Sequence, residues 1–301
     1  MTCYHPRPAW RSLEGRNPKT GAWPITFDPY KGVCLDPNKP TFMIPCGKCI
    51  GCRLEQSRQW AMRCTHEATL HKENCFLTLT YDNYHLDPSG SLNKTDIQLF
   101  MKRLRKRFEG KKIRYFQCGE YGELHQRPHH HVILFGLDFH DKEVVEIADT
   151  GFALYSSRIL SDLWPFGFHR IGSVSFESTA YVARYVLKKI EHEGSDKHND
   201  GRLPEYITMS RRPGIAYGWI EKFKDDVYPH DYVVIRNGIK CKPPAYYDRV
   251  FDRIQDDYKL DDIKLNRKKE AINNLDNTPQ RLRVKETIQY IKADKLVRPL
   301  D

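Results

Sequence analysis

The chain contains no segment of the kind that holds a protein in a membrane or exports it. No apolar run approaches the roughly 18 residues that a membrane-spanning helix needs. The first residues, Met1–Pro8, include no apolar stretch of the signal-peptide type. We therefore expect a cytosolic protein with no membrane partner. Internal repeats are also absent, and 301 residues are enough for one or two domains with an apolar core.

Acidic residues are outnumbered in this sequence. There are 39 Asp and Glu against 49 Lys and Arg, which gives a formal net charge of +10 at pH 7. Such an excess favours a polyanionic partner, and nucleic acid is the usual one. The charge does not indicate which reaction takes place.

A disulfide framework is not expected, although the chain has nine cysteines. Their number is odd, and a reducing compartment makes metal ligation the better explanation. Cys46, Cys49 and Cys52 offer three thiolates at Cys-x-x-Cys-x-x-Cys spacing for a structural Zn²⁺. Because a second Cys-x-x-Cys pair is lacking, free thiols in a compact loop are the alternative. The candidates for a fourth ligand are Cys3, Cys34, Cys64 and His66.

Two histidines point to a second metal site. His129 and His131 stand at i, i+2 in a β-type run, so their side chains share one face of the strand while that of His130 takes the other. Glu120 ends the preceding predicted strand, one loop away. A carboxylate there would complete a three-ligand divalent site with open positions for phosphate oxygens and water. Glu123 is the alternative carboxylate.

Two tyrosines at i, i+4 supply a candidate nucleophile pair. Tyr181 and Tyr185 lie on a predicted helix that begins at Ser178 or Thr179 and runs to about residue 190. At 100° per residue both phenols fall beside Lys188 and Arg184 and opposite the apolar stripe, so we expect them to face away from the core. A phenol is a weak nucleophile at its ordinary pKa near 10. A nearby metal and cation would favour its attack on phosphorus, which yields a 5′-phosphotyrosine and a free 3′-hydroxyl.

The order of predicted elements is strand, helix, two strands, helices, strand and helix, which indicates an α+β fold with a mostly antiparallel sheet backed by helices. Thr95 is the predicted N-cap of a helix ending at Phe108. Further helices are predicted over 141–148 and 155–164, and a loop over 191–214. The division expected is 1–70 as a Cys-rich segment packed on the core, 71–240 as the catalytic domain and 241–301 as a charged, partly helical tail.

The helix after Thr95 has a cationic face. It is formed by Arg103, Arg105, Lys106 and Arg107. These side chains are candidates for contacts with the DNA phosphate backbone, and a solvated surface is the alternative.

Several segments carry a family resemblance. Those that resemble the three motifs of HUH endonucleases are Phe76–Tyr81, Cys118–Gly122, Pro128–His131 and Tyr181–Tyr185. More closely, the chain resembles the replication initiators of gokushovirus-type microviruses. The further segments that carry this second resemblance are Pro45–Arg53, Ser57–Trp60, Leu99–Leu104, Arg212–Ile215 and Tyr228–Tyr232. His130 departs from the pattern, because such motifs usually hold a hydrophobic or aromatic residue there.

The resemblance implies rolling-circle replication in the host bacterial cytoplasm, with Mg²⁺ or Mn²⁺ as cofactor and an RRM-like palm as the sheet. The implied partners are single-stranded DNA, replicative-form DNA, and the host helicase and polymerase. One alternative is a non-catalytic nucleic-acid-binding protein with a zinc knuckle. Another is a related relaxase or transposase.

Overall fold

The computed structural model describes residues 3–18, 23–33, 41–122, 125–148, 151–176, 178–183, 201–228, 230–254, 259–273 and 275–295. They form two compact units. One comprises the described residues of Met1–Glu55 and Glu270–Leu296, and the other those of Gln56–Lys269. Helices long and apolar enough to cross a membrane are absent from the described residues.

The first unit is built on a three-stranded antiparallel sheet. Strand β1 (Arg7–Arg11) lies between β2 (Ile25–Thr26) and β3 (Phe42–Ile44). Helix α1 (Ile50–Ala68) begins in this unit and crosses its boundary in the sequence.

The second unit contains a seven-stranded sheet in which every pairing is antiparallel. Its strands are β4 (Asn74–Tyr81), β5 (Arg114–Tyr121), β6 (Pro128–Phe135), β7 (Glu143–Ile147), β8 (Ala153–Ser156), β9 (Gly167–Gly172) and β10 (Tyr206–Met209), in the spatial order β10-β5-β6-β4-β9-β8-β7. The short strands β11 (Val233–Val234) and β12 (Lys240–Cys241) form a separate pair.

Helices accompany this sheet and confirm the α+β class. They are α2 (Lys94–Arg107), α3 (Arg158–Leu163), α4 (described over 178–183), α5 (Tyr217–Val227), α6 (Ala245–Ile254) and α7 (Lys259–Asn273), while α8 (Pro279–Asp294) belongs to the first unit.

The three central strands β5, β6 and β4 are covered on both faces. On one face Leu77, Leu79, Val132 and Leu134 are completely buried in a cluster to which α2 contributes Phe100. The opposite cluster takes alternate residues of the same strands together with side chains from α1, α5 and α6; the strand residues are Phe116, Cys118, Ile133 and Phe135. Because strand side chains alternate between faces, neighbouring residues enter different cores. Polar side chains on these strands are therefore held rigidly.

Helix α2 confirms the predicted apolar stripe, but not its predicted start. Asn93 is the N-cap, and its side-chain oxygen accepts a hydrogen bond from the backbone N–H of Thr95 at 2.8 Å. The prediction of Thr95 as the cap is therefore wrong by two residues. Asn and Thr both suit the position, and the extended backbone at Asn93 selects the earlier residue.

Two other local predictions are wrong. The segment 141–148 is not helical: it contains β7, an exposed strand paired with β8, where Val144 and Ile147 are typical β-branched residues. The predicted loop 191–214 contains β10, which pairs with β5 and places Tyr206 opposite Gly119. In both cases pairing with another strand decided the structure.

Candidate metal centre and active site

The register of three strands places the predicted metal ligands side by side. Between β5 and β6, Glu120 lies opposite His129 and Cys118 lies opposite His131. Between β4 and β6, Thr78 lies opposite His131. These positions have the same parity, so their side chains share one face of the sheet. The antiparallel hairpin and the face predicted for the two histidines are confirmed.

The ligand atoms of Glu120, His129 and His131 converge on one point. Glu120 Oε1 is 2.6 Å from His129 Nε2 and 2.9 Å from His131 Nε2, and the two Nε2 atoms are 3.2 Å apart. Glu120 is only 1% exposed, whereas His129 is partly exposed. The arrangement is a three-residue group with space for one ion and an open side at His129. Glu123 lies outside the described residues.

The outer nitrogens of both imidazoles are occupied by the strands themselves. His129 Nδ1 donates to the carbonyl oxygen of Arg127 at 3.0 Å, because a carbonyl can only accept. His131 Nδ1 is 3.1 Å from the hydroxyl oxygen of Thr78. Such outer hydrogen bonds fix the ring orientation and leave Nε2 with its lone pair directed at a metal.

The charge at this centre fits a divalent cation. Burial by itself would raise the pKa of Glu120, but the hydrogen bonds and positive charge of His129 and His131 hold it below the ordinary value, so the carboxylate is ionised. Its second oxygen, Oε2, is buried without a hydrogen-bond partner among the described residues. A buried carboxylate oxygen without a donor is costly unless a cation balances it. The donor set, two imidazoles and a carboxylate, is suited to a divalent ion with open positions.

His130, the departure from the family pattern, faces the other side of the sheet. It is fully buried, and its Nε2 donates to the phenolic oxygen of Tyr81 at 3.1 Å, while Tyr81 donates to Asp96 at 3.0 Å. The side-chain amide of Gln117 lies 3.3 Å from His130 Nδ1. Burial, reinforced by the charge of His129 and His131, lowers the pKa of His130 to about 3. His130 is thus a neutral member of a buried hydrogen-bond network.

Helix α4 brings Tyr181 onto the metal face of the sheet. Its ring packs perpendicular to that of His131, with 5.1 Å between the ring centroids. Tyr181 is only 8% exposed and belongs to the apolar cluster together with Val182. The prediction that Tyr181 faces away from the core is therefore wrong, because the helix lies against the sheet and the side opposite its apolar stripe is covered as well. Arg184, Tyr185 and Lys188 lie outside the described residues.

The start of this helix also differs from the prediction. The hydroxyl of Ser175 accepts from the N–H of Ser178 at 3.2 Å, and the hydroxyl of Ser178 accepts from the N–H of Ser175 at 2.8 Å. This reciprocal pair has the arrangement of a capping box. Ser175 is therefore the cap, in place of Ser178 or Thr179.

The basic face of α2 lies on the side of the sheet away from the metal centre. Arg105, Lys106 and Arg107 are exposed. Arg103 is half-buried, and its Nε donates to the carbonyl of Leu163 at 3.0 Å, which ties α2 to the end of α3. The DNA-binding role of these four residues stays a prediction.

The three predicted cysteine ligands lie together in the first unit, and the structure adds a fourth sulfur. The Sγ atoms of Cys3, Cys46, Cys49 and Cys52 are all within 4.8 Å of one another. Sequence reasoning had placed Cys3 among several candidates without a means to choose. It also missed the part of Thr78 in orienting His131, which only the register between β4 and β6 reveals.

Comparison with known proteins agrees with this arrangement. A family model of replication-associated proteins, described by the name ORF2, matches residues 74–190, a range that contains the Glu120, His129 and His131 group and both predicted nucleophiles. The replication-associated protein VP4 of Bdellovibrio phage phiMH2K is 37% identical over 225 residues, which cover 72% of this chain and 70% of that protein.

Two further relatives carry similar descriptions. The replication-associated protein ORF2 of Spiroplasma virus 4 is 38% identical over 241 residues, which are 76% of this chain and 74% of that protein. The replication-associated protein ORF4 of Chlamydia phage 1 is 34% identical over 217 residues, or 69% and 53%. No solved structure gave a significant match. The chain therefore belongs to the family of replication-associated proteins, as a replication initiator of the microvirus type.

Proposed function

We propose that this replication initiator nicks and rejoins DNA through a covalent 5′-phosphotyrosine, as the resemblance to HUH endonucleases implies. Glu120, His129 and His131 would hold one Mg²⁺ or Mn²⁺, and Tyr181 and Tyr185 would be the nucleophiles. One observation carries the proposal: the Tyr181 ring packs on His131, whose Nε2 lies within 2.9 Å of Glu120 Oε1. A candidate nucleophile and a candidate divalent site therefore share one face of the sheet.

The reaction is an exchange of phosphate esters. The phenolic oxygen forms a bond to phosphorus while the bond from phosphorus to the 3′ oxygen breaks. The phenolic proton is released, and the departing 3′ oxygen takes up a proton to become a hydroxyl. Because no water is consumed, a 3′-hydroxyl can attack the phosphotyrosine in reverse and rejoin a strand. Two tyrosines allow one to hold the old DNA end while the other cleaves the next.

The protein's own groups prepare this step. The bound cation would polarise the scissile phosphate and favour attack by the phenolic oxygen. The Arg127 carbonyl and the Thr78 hydroxyl hold both imidazoles in position. Tyr181 is already covered by the protein, so its reactive oxygen loses little freedom during attack. By their helical spacing, Arg184 and Lys188 would steady the phosphate.

A covalent-adduct assay tests the proposal. Single-stranded origin DNA and Mn²⁺ are incubated with wild type, with Tyr181→Phe, with Tyr185→Phe and with the double variant. Wild type is expected to give a band shift that survives denaturant, and the double variant to lose it. Peptide mapping of the adduct then identifies the tyrosine that acts first. Tyr290→Phe, on the exposed face of α8, is the matched control and should form the adduct as wild type does.

Two outcomes would contradict the proposal. Equal cleavage by wild type and by the double variant would remove both tyrosines from the nucleophile role. Salt-dependent DNA binding without any covalent product from wild type would favour a non-catalytic nucleic-acid-binding protein. The proposed setting is the host bacterial cytoplasm, with single-stranded and replicative-form DNA as substrates and the host helicase and polymerase as partners.

A further inference from the structure

We propose that Cys3, Cys46, Cys49 and Cys52 bind one structural zinc ion, separate from the Glu120–His129–His131 centre, and that Cys3 is the fourth ligand. Cys46 and Cys49 lie in the loop before α1, and Cys52 lies in its first turn. Cys3 approaches from the other end of the first unit's sequence. This site is independent of the proposed nicking reaction.

The spacing of the sulfur atoms matches a tetrahedral site for one metal. A Zn–S bond of about 2.3 Å places the sulfurs of a regular tetrahedron about 3.8 Å apart. In the structure Cys46 Sγ lies 3.9 Å from Cys52 Sγ, and Cys49 Sγ lies 4.0 Å from Cys3 Sγ. A disulfide would require about 2.05 Å. A cluster with several irons would place the cysteines on different metal atoms and hold the four sulfurs farther apart than the observed 4.8 Å limit.

Backbone N–H groups are directed at three of these sulfurs. The N–H of Cys46 donates to Cys3 Sγ at 3.2 Å, that of Cys49 to Cys46 Sγ at 3.3 Å, and that of Tyr4 to Cys49 Sγ at 3.3 Å. A neutral thiol is a weak acceptor, whereas a thiolate is a strong one. The loop is therefore shaped to stabilise negatively charged sulfur, which is the form that zinc binds.

The other described candidates for the fourth ligand have different surroundings. Cys64 is completely buried in the apolar cluster of the second unit. His66 Nδ1 lies 2.7 Å from the hydroxyl of Tyr247 in the same unit. Cys34 lies outside the described residues, so the experiment includes it directly.

A metal at this position would fix both ends of the first unit's strand region. Cys3 and Cys46 are 43 positions apart, and β1, β2 and β3 all lie between them. Closing so long a segment with one ion restricts the unfolded chain, and the free energy of metal binding becomes free energy of folding. The small three-stranded sheet would then depend on zinc for its stability.

The test uses the full chain purified without added zinc. Elemental analysis should find about one zinc per chain, as one tetrahedral site requires. Exchange for Co²⁺ should give the visible absorption of a tetrahedral thiolate-bound ion. In wild type, a mercurial thiol reagent should release the zinc as four thiols react, and this measurement does not depend on any variant folding.

Single variants identify the ligands. Cys3→Ser and Cys46→Ser should lower zinc affinity by more than the about 100-fold that removal of an outer-sphere partner costs. Cys34→Ser and Cys241→Ser, the latter in β12, should keep wild-type content. His131→Ala should keep the thiolate absorption, which separates this site from the catalytic centre. Zinc below about 0.3 per chain, well under the single site of a tetrahedral centre, would overturn the proposal. Retention by Cys3→Ser with loss by Cys34→Ser would do the same.

Discussion

At the scale of single residues, Glu120 has the largest part in the charge of the metal centre. It is the only one of the three grouped side chains that is negative, since His129 and His131 present neutral nitrogens when a metal binds. Its Oε2 is buried without a donor among the described residues, so the site is incomplete without a cation. The residue therefore sets both the affinity for metal and the cost of leaving the centre empty.

Replacing Glu120 by Gln is expected to lower Mn²⁺ affinity by at least about 10-fold, because a neutral amide replaces the only carboxylate of the site. Adduct formation at limiting Mn²⁺ should fall in parallel. Calorimetric titration with Mn²⁺ measures the first effect, and the band-shift assay measures the second. Glu73→Gln removes a surface carboxylate that pairs with Lys111 and should change neither quantity. Unaltered Mn²⁺ binding by Glu120→Gln would exclude this carboxylate as a ligand.

At the scale of elements, the central sheet separates two surfaces. The face with Glu120, His129 and His131 also carries Tyr181, whereas the opposite face packs on α2. The exposed cations Arg105, Lys106 and Arg107 therefore lie away from the centre where chemistry is proposed. DNA that reaches both surfaces would be held by α2 without being cleaved there.

The variant Arg105→Gln/Lys106→Gln/Arg107→Gln is expected to flatten the salt dependence of duplex DNA binding. The slope of log affinity against log salt should change by about 0.9 for every DNA phosphate that the variant no longer neutralises. Mn²⁺ affinity should stay at the wild-type value. Filter binding or anisotropy across a salt series measures the slope.

A charge-matched control distinguishes this helix from net charge in general. Lys264, Lys268 and Lys269 of α7 are exposed, and changing them to Gln removes the same three charges. An equal change of slope in both variants would mean that total charge matters and that α2 is not a DNA-binding face. An unchanged slope for the α2 variant would assign that face to solvent.

At the scale of the whole molecule, stability depends on polar groups buried within the apolar cores. His66 of α1 stacks on Trp219 of α5 with 3.6 Å between ring centroids, and its Nδ1 contacts Tyr247 of α6. Burial lowers the pKa of His66 from 6.5 to about 4. The folded protein therefore holds this imidazole neutral where the unfolded chain would protonate it.

The free energy of unfolding should consequently fall as the pH is lowered. Above pH 6.5 His66 is neutral in both states, so its contribution is fully present. Between pH 6.5 and about 4 the unfolded chain binds the additional proton, and stability declines by about 1.4 kcal/mol per pH unit, or about 3 kcal/mol in all. Urea unfolding at several pH values measures this. His66→Phe keeps an aromatic ring but cannot be protonated, so its decline should be smaller by that amount; identical declines would contradict the assignment.

Much of the candidate site could be predicted from local sequence. A two-residue period places His129 and His131 on one face of β6, and the observed strand obeys it because that period is a property of extended backbone. The apolar stripe of α2 followed from the helical period in the same way. These patterns depend on near neighbours in the chain, which any sequence displays.

Long-range contacts decided the rest. Glu120 meets the histidines through the register of β5 with β6, and Thr78 reaches His131 through that of β4 with β6. The burial of Tyr181 required the packing of α4 against the sheet. Cys3 joins the other cysteines only when residues 43 positions apart are brought together. The sequence by itself determined which side chains share an element and a face. The tertiary structure decided which elements meet, because register and packing depend on the free energy of the whole fold.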